Sequence, residues 1–158
     1  MVDELLLEKG LSKRETYNSL VPQIEALLGG EDDLVANMAN VAAAIYTALD
    51  YFWVGFYIVK GDQMVLGPFQ GPIACTRIDK GKGVCGKVWQ LAKPLIVPDV
   101  CQFPGHIACN SASKSEIVIP GLARDRKVKF VLDVDSTELD AFDKTDEEYL
   151  TKITSFLD

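Results

Sequence analysis

WVGFYIV (residues 53–59), Lys60-Gly61-Asp62 and QMVLGPF (residues 63–69) decide the fold. The first run is aromatic or β-branched apart from one glycine, a composition that suits a strand. A glycine-containing turn then sends the chain back along its own path, so the two runs read as a hairpin and the sheet they begin is antiparallel.

Towards the N-terminus, Ser12-Lys13-Arg14-Glu15 has the form of a helix-opening capping box. Tyr17, Leu20, Val21, Ile24, Leu27 and Leu28 follow at helical spacing, Pro22 predicts a kink, and Gly29-Gly30 ends the run. A second helix is expected from about Asp33 to Leu49, with Leu34, Met38, Val41, Ile45 and Leu49 on one face. Beyond the hairpin a third strand is expected over Pro72–Ile78, with Cys75 in its middle. The glycine-punctuated segment Lys80–Gly83 leads to a short helix over Val84–Ala92, and Leu95–Val97 forms another strand. After the loop Pro98–Lys114, Glu116–Pro120 and Lys127–Asp133 read as an antiparallel pair, and Thr145–Glu148 reads as a capping box opening a last helix that runs through Phe156.

Hairpin-joined strands with helices mostly at the ends give an α+β class: a central antiparallel β-sheet, helices on one face, and long loops covering the other. Loops of that length in a compact domain are usually functional. Nothing repeats and no linker divides the chain, so residues 1–158 are expected to form a single domain burying roughly two-thirds of its unfolded surface.

The composition, 48% hydrophobic and 25% charged, is that of a globular protein. A net charge of −7 argues against nucleic acid and against an anionic membrane as partners. The first 30 residues show no basic segment followed by an apolar run, and no apolar stretch approaches the ~20 residues of a membrane span. A cytoplasmic protein is expected, in which any disulfide would be transient or catalytic.

The stretch Gly67–Pro120 holds all four cysteines, Cys75, Cys85, Cys101 and Cys109, and the single histidine, His106. Their spacing, C-x9-C-x15-C-x7-C, contains no C-x2-C pair, which argues against a structural zinc site. As buried thiols they would serve as small hydrophobes, yet all four are crowded into one stretch punctuated by glycines and polar residues. Cys109 is followed by Asn-Ser-Ala-Ser, a source of N–H and O–H donors. His106 either lowers a nearby thiol pKa, if protonated, or is a surface-loop histidine. Cys85, at the start of a short helix, is a candidate low-pKa thiol because helix N-termini favour anions. In a strand, Asp133 and Asp135 face the same side. With Glu116 they could be hairpin-end residues, ligands to magnesium or calcium, a seat for an ammonium group, or a proton donor.

Taken in order, WVGFY, GPFQGPIACTRI, GKGVCG, VPDV, FPGHIAC-x-SAS-x-SEIV and VLDVDS resemble the free methionine-(R)-sulfoxide reductase family, a branch of the GAF-domain fold. The resemblance is dense from Trp53 to Ser136 and looser in the flanking helices. It implies a single GAF domain that reduces free methionine-R-sulfoxide to methionine with neither cofactor nor metal. It makes Cys109 the attacking thiol, which passes through a sulfenic acid; Cys75 the thiol that resolves it as a disulfide; and Cys85 a support for that exchange. Glu116, Asp133 and Asp135 match the family's acidic substrate residues, and Trp53 and Tyr57 its pocket aromatics. A thioredoxin-type reductant and a homodimer come with the same resemblance. The rival reading is a non-catalytic GAF module that senses a small molecule; a redox-locked structural protein would leave the acidic residues unexplained.

Three positions depart from the family pattern: Asn110 stands for an aspartate, Cys101 for a histidine, and Phe130 for a small residue. A sulfoxide oxygen leaves only when protonated, so a carboxylic acid held neutral by neighbouring carboxylates near Cys109 suits the chemistry.

Overall fold

The computed structural model describes residues 4–106 and 109–157. Its elements are α1 (Lys13–Leu28), α2 (Leu34–Leu49), β1 (Trp53–Lys60), β2 (Gln63–Gln70), β3 (Arg77–Asp79), α3 (Gly83–Leu91), β4 (Leu95–Val97), β5 (Ser115–Leu122), β6 (Val128–Ser136) and α4 (Lys144–Ser155), with a 3-10 turn at Val100–Gln102. The strands form one six-stranded sheet in the order β3-β2-β1-β6-β5-β4, and every pairing is antiparallel. No described helix is long and apolar enough to cross a membrane.

Period-two alternation divides the sheet into two working faces. Val54 and Phe56 of β1, Ile117 and Ile119 of β5, and Phe130, Leu132 and Val134 of β6 pack under α1, α2 and α4. The intervening residues Trp53, Tyr57, Val118 and Val131 point the other way, into a second apolar cluster with Val84, Cys85, Val88 and Trp89 of α3. Three helices therefore cover one face as expected, while α3 departs from that pattern and lies with the loops on the opposite face.

Two local expectations need correcting. The third strand does not span Pro72–Ile78: β3 is Arg77–Asp79, and Cys75 lies in the loop before it. Side chains of β1 take the carbonyls that a ladder would have used, with Trp53 Nε1 donating to Pro72 O at 3.0 Å and Tyr57 Oη donating to Cys75 O at 2.9 Å. The last helix is capped by Asp143, not Thr145; Asp143 accepts from the Thr145 and Asp146 amides, and Asp146 reaches back to the Asp143 amide. β5 and β6 also run past their expected ends at Pro120 and Asp133, which places Asp135 within the ladder opposite Glu116.

Phe130, one of the departures from the family pattern, is buried on the helix face and meets Phe56 edge-on at 5.7 Å. Its register partner is Gly121, where a Cβ would run into the Phe130 ring. The large side chain is thus accommodated by a glycine opposite it, on the face away from the cleft.

Asp146 fastens the helical layer. It is fully buried and accepts from Tyr17 Oη at 2.7 Å, Tyr51 Oη at 2.6 Å and Lys13 Nζ at 2.6 Å. Removing one partner of such a network leaves the others buried without partners. Asp146→Ala should lower the unfolding free energy in urea by about 3–5 kcal/mol. Glu148→Ala should change it by no more than about 0.5 kcal/mol, because the Arg14–Glu148 pair is 3.5 Å long and both side chains are more than half exposed. Similar effects from the two variants would remove Asp146 from this role.

Candidate active site

The face opposite the three helices carries an open cleft. The sheet forms its floor through Trp53, Tyr57, Glu116, Asp133 and Asp135. The start of α3 contributes Lys82, Gly83, Val84 and Cys85, and the loops contribute Ile73, His106, Cys109, Asn110 and Ser113. Trp53, Tyr57, Cys85, Glu116, Asp133 and Asp135 thus come together here from separate parts of the sequence. Cys75 and Cys109 are joined by a disulfide with Cα atoms 5.5 Å apart, which ties the Cys109 loop to the segment before β3. The two residues between His106 and Cys109 lie outside the described residues.

The floor depends on one glycine. Gly55 faces the cleft between Trp53 and Tyr57, and a Cβ there would strike the Trp53 ring and Phe69. Without that side chain the indole lies along β1, stacked on Phe69 at 5.3 Å and on Tyr57 at 6.0 Å. Both aromatics also hold the Cys75 loop through the hydrogen bonds to Pro72 and Cys75. Burial, followed by the charge of Asp133, raises the Tyr57 phenol far above its ordinary pKa, so it acts as a donor.

Glu116 and Asp133 are 6% and 7% exposed, and Asp135 faces Glu116 across the ladder. Desolvation pushes all three acids upward, and repulsion from Asp133 adds to it at Glu116 and Asp135. Asp133 rises from 3.8 to about 6 through burial. Glu116 rises well above its ordinary value through burial and then through Asp133 and Asp135. Asp135 rises through burial and through Asp133, opposed by the hydroxyl of Ser113, which donates to its Oδ1 at 2.6 Å. All three carboxyls therefore keep their protons to higher pH than free carboxyls do. Asp133 Oδ1 is buried and has no hydrogen-bond partner among the described residues.

The expectation of a low-pKa thiol at Cys85 is overturned. Cys85 does occupy the first turn of α3. Burial, and next Asp133 and Glu116, push its thiol well above the usual value, outweighing the helix end. Its Sγ lies 3.9 Å from Glu116 Oε1, so it stands beside the acids as a neutral thiol. His106 lines the cleft, but burial lowers its pKa towards the neutral imidazole, the opposite of the charged partner that would activate a thiol. Cys101 is exposed on the 3-10 turn and is not among the residues lining the cleft.

Sequence reasoning missed the hydroxyl of Ser113 and the ammonium of Lys82. Ser113 lies within a quoted motif, but its bond to Asp135 spans 22 residues and shows only once the loop is folded down. Lys82 precedes α3 and gives its first turn no side-chain cap, and Lys82, Gly83, Val84 and Cys85 all line the cleft. Such a helix start suits an anionic group.

No family model matches the sequence. The chain is 58% identical, over 100% of its own length and 99% of the relative's, to GAF domain-containing protein A of Dictyostelium discoideum. It is 42% identical, over 94% of its length and 90% of the relative's, to the free methionine-R-sulfoxide reductase of Escherichia coli. The solved structure of free methionine-R-sulfoxide reductase from Neisseria meningitidis, in complex with its substrate, matches with a TM-score of 0.92 at 46% identity, covering 98% of this chain and 93% of that one. The fold is the GAF fold.

A carboxyl whose folded-state pKa lies above its unfolded value stabilises the fold fully below the unfolded pKa and loses that contribution as pH rises. For Asp133 the window runs from 3.8 to about 6. In the disulfide-bonded protein, Asp133→Asn mimics the protonated acid. Its melting temperature relative to the parent should rise between about pH 4 and 6 and then level off. A difference independent of pH, or one falling across that window, would refute the raised pKa.

Proposed function

The chain belongs to the free methionine-R-sulfoxide reductase family, and we propose that it reduces free methionine-R-sulfoxide to methionine with the residues of this cleft. The observation that carries this reading is the Cys75–Cys109 disulfide closing over a pocket of buried carboxylic acids. A sensor module that only held a ligand would need neither.

In the reduced protein the Cys109 thiolate attacks the sulfoxide sulfur while Glu116 protonates the departing oxygen. The hydroxyl passes to the Cys109 sulfur as a sulfenic acid, and methionine is released. Cys75 then attacks that sulfur, expelling water and forming the disulfide. The sum is one sulfoxide and two thiols converted to methionine, one disulfide and one water. Cys85, buried and outside the disulfide, keeps a neutral thiol against Glu116 and supports the acid.

Recognition of the free amino acid follows from charge. Asp133 and Asp135 receive the substrate ammonium, and the unpartnered Asp133 Oδ1 supplies an acceptor for it. The α3 amides and Lys82 face the substrate carboxylate. Trp53 and Tyr57 pack along the thioether chain. A methionine inside a polypeptide has neither terminal charge and fails both contacts.

A thioredoxin-type dithiol closes the cycle, and the exposure of Cys109 gives it a sulfur to attack. Residues 1–158 act as one domain, as a homodimer, in the reducing cytoplasm.

With dithiothreitol as reductant, the protein should turn over free methionine-R-sulfoxide and leave the S epimer and a peptide-bound sulfoxide almost untouched. Cys109→Ser should abolish turnover, whereas Cys101→Ser should keep most of it. Glu116→Gln should slow it by about 10²-fold or more, the scale of a lost general acid, with the fold intact by circular dichroism. Peptide mapping after exposure to substrate should recover the Cys75–Cys109 bond. Comparable turnover of the peptide-bound sulfoxide, or near-normal rates in Cys109→Ser, would defeat the assignment.

A further inference from the structure

Three donor atoms in the cleft stand close enough to share one ion. Cys85 Sγ and one carboxylate oxygen each from Glu116 and Asp133 lie within 4.8 Å of one another. They project from α3, β5 and β6, so three separate elements hold them in place. All three residues are buried, and Asp133 Oδ1 has no partner among the described residues.

We propose that Cys85, Glu116 and Asp133 form a binding site for zinc, occupied in place of substrate. One sulfur and two oxygens suit a borderline-soft cation, whereas magnesium and calcium take six or more oxygens. Zinc bonds of about 2.0–2.3 Å require tetrahedral donor pairs roughly 3.3–3.6 Å apart. Cys85 Sγ and Glu116 Oε1 are already 3.9 Å apart, so small side-chain rotations close the set. Zinc replaces the Cys85 proton and binds the thiolate, so a thiol that is a poor nucleophile can still be a good ligand. With three protein ligands, the fourth position faces the cleft that all three residues line.

Neither sulfur of the Cys75–Cys109 disulfide belongs to the set, so the donors are present together in the disulfide-bonded protein. That zinc excludes substrate rests on the functional reading above, which gives the same carboxyl oxygens to the amino-acid ammonium and to the proton transfer. Zinc is then a reversible inhibitor that competes with the sulfoxide, and a chelator restores activity.

The test uses the disulfide-bonded protein carrying Cys101→Ser, which removes the other free thiol. Cadmium reports thiolate ligation through its ultraviolet charge-transfer band, and calorimetry measures zinc. One ion per chain should bind, with the cadmium band present, and zinc should raise the melting temperature. Cys85→Ser should abolish the band. Cys85→Ser and Asp133→Asn should each weaken zinc by more than about 10²-fold, since loss of even an outer-shell partner costs 10–100-fold. X-ray absorption should find one sulfur among the zinc neighbours, independently of any variant's folding. A band that survives Cys85→Ser, unchanged affinity in Asp133→Asn, or a sulfur-free first shell would overturn the site. Free methionine should displace the zinc. Zinc held by the three residues yet indifferent to methionine would uphold the metal site and overturn the substrate placement instead.

Discussion

Glu116 and Asp133, which are buried, and Asp135, which is partly buried, are held side by side on adjacent strands, where ionising all three is disfavoured. Desolvation and mutual repulsion keep protons on them, and much of the site follows from that constraint. It raises the carboxyl pKa values, and burial with the neighbouring carboxyls also pushes the Cys85 thiol up. It also eases a conflict. A set of full negative charges beside Cys109 would oppose its thiolate, whereas protonated carboxyls do so far less. Ser113 breaks the symmetry of the group by donating to Asp135, which opposes part of the upward shift that burial and Asp133 impose on that residue.

The sheet keeps this polar cluster apart from the core. Along β6, Phe130, Leu132 and Val134 pack under the helices, while Val131 joins the apolar cluster on the opposite face and Asp133 and Asp135 line the cleft there. A one-residue slip in register would exchange the two sets, burying carboxyls under α1 and α2 and exposing Leu132 in the cleft. The helical layer opposes such a slip through its apolar packing and through Asp146, which joins the ends of α1 and α4 to Tyr51. The three departures from the family pattern fit the same frame. Phe130 is on the helix face, and Cys101 is outside the cleft. Asn110 uses its Oδ1 to accept from the Ala112 amide at 2.8 Å, a turn-forming bond that an aspartate makes equally well.

Much of the architecture could be read from residue order. The β1–β2 hairpin, the Ser12 capping box and the helical periodicity of α1 and α2 are local features, and local chemistry determined them. The family was legible because ordered motifs carry it, and the same-face relation of Asp133 and Asp135 follows from strand geometry alone. Tertiary structure decided what depends on distant partners. Cys75 lost its place in a strand because Trp53 and Tyr57 captured the carbonyls around it. The α4 cap moved to Asp143 because Asp146 serves that cap and two tyrosines at once. The Cys85 thiol changed from acidic to resistant because a helix end is a short-range effect, and burial beside two carboxyl groups outweighs it. Sequence assigns residues to elements; the protonation of each group depends on the charge and water around it, which only the folded chain sets.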